Sequence, residues 1–262
     1  LDRPGFDQIA QGMGGLMSIT GEPGKGPMRV GIPIADLCAG LLCSQGIMVA
    51  LLERETSGEG QWVDTSLLGS QIFMLDFQAS RWLMNQDVPQ QAGNNHPTSI
   101  PTGVFETSDG AINIAVAGQV IWERFCNSLD AEDLNENPDY ATAENRSKNR
   151  DSLGDEINKR LRQKDSATWI NLFNEAGVPA GEINSIDQVF ADRQVQHLGA
   201  ATKVNSPALG EIELVSQSIN LSRTPSTIAA APPERGEHSD EVLGSIGYDA
   251  EEIASFHARN VV

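Results

Sequence analysis

The chain has 262 residues, 39% of them hydrophobic, with 36 acidic against 18 basic side chains and a formal net charge of −18. That length supports one large or two modest domains with real cores, and the acidic balance disfavours nucleic acid and anionic membrane surfaces as partners. Cys38, Cys43 and Cys126 are an odd count without metal-ligand spacing. They read as buried or free thiols of a cytoplasmic protein, with no metal site and no signal peptide expected.

In chain order, residues 6–17 predict a helix with Gly14-Gly15 near its end, and the Gly- and Pro-rich stretch 20–33 predicts a loop that delivers the chain to Asp36. Residues 37–54 are long enough for five turns of helix and apolar on most faces, which predicts burial in a large core. Asp36 stands at the expected N-cap, and Gly58 and Gly60 mark the stop. Gly40, Ser44, Gln45 and Gly46 interrupt the apolar run, which is expected to fall short of a membrane span. Residues 61–65 read as a short strand and 66–85 as a helix with Phe73, Phe77 and Trp82 in the core. Residues 87–101 are polar and turn-rich.

A hairpin is expected from 103–105 and 111–116 around Ser108-Asp109-Gly110. Helices follow at 119–129, with Trp122 and Phe125 inward, at 145–163, and at 166–176 with Ser166 as N-cap and Gly177 as stop. Residues 180–183 read as a strand, 185–190 and 193–197 as short helices, and 200–215 as strands around Ser206-Pro207. After a loop at 225–233, helices are expected at 240–246, capped by Ser239, and at 251–257.

Spacing alone favours a capping role for Asp36, because an N-cap carboxylate accepts from free backbone N–H groups and suits the positive helix end. That role is compatible with chemistry: the same dipole keeps a poorly solvated carboxylate ionised and usable as a nucleophile.

Several motifs occur together. They are Arg3-Pro4-Gly5-Phe6-Asp7, the segment from Gln11 to Gly21 containing Met13-Gly14-Gly15-Leu16, Ile34-Ala35-Asp36 with Gly40, and Ser57-Gly58-Glu59-Gly60-Gln61-Trp62-Val63-Asp64. Gly93-Asn94-Asn95-His96-Pro97, Pro101-Thr102-Gly103-Val104-Phe105 and Gly236-Glu237-His238 follow. In order and spacing this set resembles the class III coenzyme A transferases over essentially the whole chain. The resemblance implies an α/β fold: a partial Rossmann-like large domain, a small α+β domain and an interlocked homodimer. Relatives carry a substantial segment before this point, so the chain is read as lacking the N-terminal part of the large domain. The implied organisation is a large-domain segment at 1–85, a small domain at 93–198 and a return to the large domain at 200–262.

The resemblance also implies the chemistry. Asp36 matches the family's nucleophile, which attacks an acyl-CoA and passes through anhydride and aspartyl-CoA thioester intermediates. Asn94, Asn95, His96, Pro97, Thr98 and Ser99 match a loop that covers the active site, and Leu67 is the coenzyme A contact carried over. The Asn-x-His-Pro form departs from the polyglycine loop of formyl-CoA transferase, which argues against formyl-CoA and oxalate. His96 reads equally as an acid-orienting group or as a turn-fixing surface residue. The implied substrates are an acyl-CoA and a carboxylic acid, with no permanently bound cofactor. Two alternatives stand beside this. In α-methylacyl-CoA racemases a Gly-His-Asp histidine shuttles protons, and here the match is Gly5-Phe6-Asp7, whose phenylalanine cannot. Otherwise the chain is an inert dimerisation or binding scaffold.

Overall fold

The computed structural model describes residues 4–262. Contacts divide the chain into two compact units, Leu1–Ile183 and Asn184–Val262. The first unit opens with helices: α1 (Asp7–Met13), α2 (Leu16–Ile19), α3 (Ile34–Ser57), α4 (Leu67–Phe73) and α5 (Phe77–Asn85). The predicted helix over 6–17 is thus split at Gly14-Gly15, and the one over 66–85 is split at Asp76, which adopts φ 50.

α3 has 24 residues and stops where Gly58, at φ 76, turns left-handed and gives its N–H to the Arg54 carbonyl. Ala35, Cys38 and Ala39 are its buried stripe, packed toward α1 and α4. The rest of its apolar surface is uncovered: Leu41 is 71% exposed and Leu52 72%. The expected burial in a large core is therefore not met within this chain. The reason is geometric, since a seven-residue helix is about 10 Å long and α3 about 36 Å. Phe73, Phe77 and Trp82 are likewise exposed rather than core residues. No strand forms at 61–65, where no backbone among the described residues pairs with the segment and Trp62 is 88% exposed. By length and composition α3 does suffice to cross a membrane, contrary to expectation, although the core helix of a soluble protein passes the same test.

The rest of the first unit is an α+β body. Strands β1 (Thr102–Glu106) and β2 (Ala111–Ala115) form the expected antiparallel hairpin, with Phe105 opposite Ile112, and β3 (Ala180–Gly181) adds to β2. Five helices complete it: α6 (Gln119–Ser128), α7 (Glu132–Glu136), α8 (Ala143–Lys148), α9 (Arg150–Leu161) and α10 (Ser166–Glu175). The period-2 pattern of the hairpin turns Ile112 and Ile114 inward, where they meet Trp122, Phe125 and Phe173, all essentially fully buried. Phe173 stacks between Phe125 and Trp169 at ring-centroid distances of 5.3 and 5.5 Å. Cys126 lies in this core, where burial pushes its thiol up to about 12.

The single helix expected at 145–163 is two helices sharing Asn149 as their junction. Asp165, not Ser166, caps α10 by accepting from the Thr168 N–H. Ser166 is engaged elsewhere: its N–H and its hydroxyl both donate to Asp109 Oδ1 at 2.8 Å, stitching the β1–β2 turn to α10. These bonds, the backbone one first, hold the Asp109 carboxyl below its ordinary range. A depressed carboxylate contributes stability that is full above its unfolded pKa and is lost as pH falls through its lower folded value. Urea titrations are therefore expected to show an acid-side loss of stability that is shallower in Asp109→Asn than in wild type. Equal acid slopes would show that the stitch is inert.

The second unit contains α11 (Ile186–Ala191), α12 (Arg193–His197), the antiparallel pair β4 (Ala201–Ser206) and β5 (Gly210–Val215), α13 (Ser239–Ser245) and α14 (Ala250–Ala258). Capping boxes at Ser185 with Gln188 and at Asp249 with Glu252 start α11 and α14. His238 rather than Ser239 occupies the N-cap of α13. Among the described residues both sheets are antiparallel, and the fold mixes helices with strands.

Candidate active site

The start of α3 is set by two buried polar residues one turn apart on α1, Asp7 and Gln11. Asp7 Oδ1 accepts the Ala35 N–H at 2.9 Å, and its Oδ2 accepts from Gln11 Nε2 at 2.7 Å. Gln11 Oε1 accepts the Val30 N–H at 2.9 Å, and its amide also donates to the Ile32 carbonyl at 3.3 Å. The Arg29 guanidinium lies 3.9 Å from Asp7 Oδ2. Residues 30–35 are therefore pinned by side chains 20 or so positions earlier. Asp7→Ala leaves a buried N–H and a buried amide without their acceptor, and is expected to cost about 2 kcal/mol in urea unfolding. A loss under about 0.5 kcal/mol, the range of an ordinary surface change, would contradict this account.

Asp36 consequently sits within the first turn of α3, with Pro33 at the N-cap, and not at the cap itself as the sequence suggested. Asp7 reaches in to cap the helix instead. Among the described residues the Asp36 carboxylate has no hydrogen-bond partner, its backbone N–H has none either, and the residue is exposed. The result is an accessible carboxylate with no structural bond to break, placed where the aligned peptide dipoles of α3 present their positive end.

The 94–99 segment is a tightly bonded turn. Gln91 donates to the Thr20 and Gly26 carbonyls, and the Gly93 N–H donates to the Gly21 carbonyl, so the segment begins on the loop that precedes α3. Asn95 bridges to Gly103, and a Cβ at Gly103 would come within 2.8 Å of the Asn94 backbone carbonyl oxygen, so glycine allows the approach. His96 Nδ1 accepts the N–H groups of Ser99 at 2.9 Å and Thr98 at 3.2 Å. An Nδ1 that accepts leaves the ring proton of the neutral imidazole on Nε2. The ring stacks on Phe77, centroids 5.8 Å apart. Arg150 donates to the Pro97 carbonyl at 2.9 Å and Ser99 Oγ to the Val116 carbonyl at 3.3 Å. His96, Asn94, Asn95 and Asp76 line an open cleft of about 540 Å³.

Among the described residues no hydrogen bond joins Asp36 to residues 94–99; the two are linked through the 20–35 segment, which bonds to both α1 and the start of the turn. Leu67 is the half-buried first residue of α4, which packs on α3 and is capped by Ser66 accepting from the Gly69 N–H. The Asp7–Gln11 pair was not anticipated. Its signal was present as two polar residues at i and i+4 on an otherwise apolar helical face.

Residues 1–239 match the sequence profile described as CoA-transferase family III. Human "Succinyl-CoA:glutarate CoA-transferase" is 31% identical over 261 residues, covering 99% of this chain and 60% of that protein. "Succinate--glutarate CoA-transferase" of Agrobacterium fabrum is 34% identical over 94% of this chain and 61% of its own length. "Succinyl-CoA:mesaconate CoA-transferase" of Haloarcula hispanica is 33% identical, with shares of 94% and 61%. The chain thus spans about three-fifths of the curated relatives it matches. Among solved structures, a CAIB/BAIF family protein from Brucella suis superposes with a TM-score of 0.78 at 29% identity, over 93% of this chain and 63% of that one. Rv3272 from Mycobacterium tuberculosis gives 0.78 at 22% identity, over 90% and 62%, a likeness of fold alone.

Proposed function

Because the chain belongs to CoA-transferase family III, we propose that it serves the transfer of coenzyme A from an acyl-CoA to a carboxylic acid, with Asp36 as nucleophile. One observation carries the residue assignment: capping of α3 is done by Asp7, which leaves the Asp36 carboxylate unbonded and accessible at the positive helix end. The carboxylate attacks the thioester carbonyl, and CoA leaves as thiolate from a mixed anhydride. The thiolate then attacks the aspartyl carbonyl and expels the first acid, leaving an aspartyl-CoA thioester. A second carboxylate attacks that thioester, and the returning thiolate takes the new acyl group and regenerates Asp36. Thioester energy is conserved only if water is excluded, a role we give to residues 94–99, with His96 Nε2–H available as a donor and Leu67 beside the coenzyme.

The relatives' names support succinyl-CoA as donor and a short dicarboxylic acid as acceptor. The same reading carries a soluble, cytoplasmic homodimer with no membrane or nucleic-acid partner. It treats 1–85 and 200–262 as parts of a partial Rossmann-like domain around a small domain at 93–198. A dimer would also give the uncovered apolar face of α3 a partner. Racemase chemistry is disfavoured because Phe6, in the position of the proton-carrying histidine, is an exposed hydrocarbon ring.

The test is intact-mass spectrometry after incubation with succinyl-CoA and other acyl-CoAs, with hydroxylamine to trap the activated carboxyl. A hydroxamate mapped to Asp36 and absent from Asp36→Ala is expected. Absence of any adduct together with absence of CoA binding by calorimetry would overturn the proposal and leave the scaffold reading.

A further inference from the structure

Residues 66–85 read as one helix, and the stretch 70–85 holds neither the glycine nor the proline that would break it. The chain nevertheless bends at Asp76, between α4 and α5. Asp76 has φ 50 and ψ −128, the values of the first central position of a type II′ turn, where glycine is the favoured residue. A residue with a side chain is disfavoured there by a factor of roughly 5 to 150. The bend also forgoes helical bonding. The Leu75 N–H turns to the Ile72 carbonyl and the Gln78 N–H to the Leu75 carbonyl, each one residue short of the α-helical partner. The N–H groups of Asp76 and Phe77 bond to no backbone carbonyl among the described residues. Asp76 gains no cap in exchange: it stands at the N-cap of α5, yet its carboxylate accepts from none of the N–H groups there.

Strain of this kind persists only where the surroundings impose it. Here the next residue, Phe77, stacks on His96, with centroids 5.8 Å apart and planes 15° from parallel. Such a stack favours the bent form by a factor of about 2 to 12. His96 is in turn tied into the 94–99 turn, because its Nδ1 accepts the Thr98 and Ser99 N–H groups. The rest of α5 holds the bend weakly, since none of its residues is buried and Leu83 and Met84 stand in solvent. Strain on one side and the stack on the other are of similar size, so the bent and straight forms lie within reach of each other.

We propose that residues 67–85 form a two-state element. Bent at Asp76, it clamps the 94–99 turn through Phe77. Straightened into one helix, it relieves Asp76, pairs the Asp76 and Phe77 N–H groups with the Ile72 and Phe73 carbonyls, and withdraws Phe77 from His96. The cleft that Leu75, Asp76 and Phe77 line on one side, and Asn95 and His96 on the other, opens with it. The two states belong to the chain itself. Only their use as a gate rests on the CoA-transferase reading, in which residues 94–99 cover the site.

The test is amide hydrogen exchange followed by NMR on the full chain without substrate, in wild type, Asp76→Gly, Asp76→Ala and Phe77→Leu. Asp76 is exposed, so its replacement leaves the core intact. Glycine is at ease in the bent form, whereas alanine is as strained there as aspartate and favours a helix. Asp76→Gly is therefore expected to keep fast exchange at positions 76 and 77 and to keep the ring-current shift of Phe77 on the His96 protons. Asp76→Ala is expected to slow exchange at 76 and 77 about tenfold or more, and at the same time to speed it at Ser99, whose N–H donates to His96. Phe77→Leu, which removes the ring and leaves Asp76 in place, is expected to move the same amides in the same directions. A purely local role for Asp76 would not move the two places oppositely. Equal exchange at 76 and 77 in the glycine and alanine variants would overturn the proposal, as would slowing there with Ser99 unchanged. With no substrate present and Asp36 untouched, the outcome is separate from the nucleophile assignment.

Discussion

Asp36→Asn is expected to lower the rate of CoA exchange by roughly 10⁴-fold or more, the scale on which loss of a covalent nucleophile acts. It is expected to leave the unfolding midpoint almost unchanged. The carboxamide fills the same volume but is not nucleophilic toward a thioester. The second half of the expectation comes from the structure. Asp36 holds nothing together: its carboxylate is unbonded, and the N–H group at the start of α3 that needs an acceptor is satisfied by Asp7. The structural cost is confined to the lost charge at the positive helix end, about 0.3–1 kcal/mol. Asp7→Asn should behave in the opposite sense. It weakens the bonds from Ala35 and Gln11 and so loses stability, and it reduces exchange only as far as the start of α3 shifts. Succinyl-CoA-dependent exchange and urea unfolding measured on both variants give a crossed pattern if the division of labour is right. If Asp36→Asn retained activity while Asp7→Asn abolished it without unfolding, the roles of the two carboxylates would have to be exchanged.

That division also shows where sequence reading stopped. The motif around Asp36 was legible because Gly, Pro and Asp constrain the local backbone whatever surrounds it. The N-cap rule then gave the capping role to the nearest aspartate, because such rules see only neighbours. Asp7, 28 positions before the N–H it binds, becomes visible only once the chain is folded. The body around Phe173 was read well for the complementary reason. Its hairpin alternation and its helix stripes are satisfied inside the same short stretch, and Trp122 and Phe125 pack where the 3.6-residue period puts them. For α3 the period identified a helix, but hydrophobicity says that a surface should be covered, not that this chain covers it. Leu41 and Leu52 are assigned to a core on composition and stand exposed because α1 and α4 are too short to cover the length of α3.

Arg146→Ala is expected to be among the most destabilising single changes in the first unit, at about 4 kcal/mol. Arg146 is only 2% exposed and has no carboxylate partner among the described residues. Its charge is met by oxygen dipoles: Nε donates to the Ile100 carbonyl at 3.2 Å, and Nη1 to the Tyr140 carbonyl at 2.8 Å and to Gln119 Oε1 at 3.3 Å. The guanidinium also lies 4.8 Å from the centroid of the Trp122 ring. Truncation orphans two buried carbonyls at about 1–3 kcal/mol each and removes a desolvated cation–π contact of about 2 kcal/mol. Against this stands the relief of returning a charge to water, a burial cost visible in the lowered pKa of the group. The balance is read by three variants in urea. Ala should lose most. Lys, a point charge without the fork, should recover part. Met, which fills the space but donates nothing, should fall between them and wild type. Because Ile100 closes the 94–99 turn, the same variants should speed hydrogen exchange at the His96 and Ser99 amides more than at Phe173 in the core. A Met variant more stable than wild type, with those amides still protected, would mean that the desolvation cost outweighs the carbonyl bonds and that Arg146 does not hold the turn.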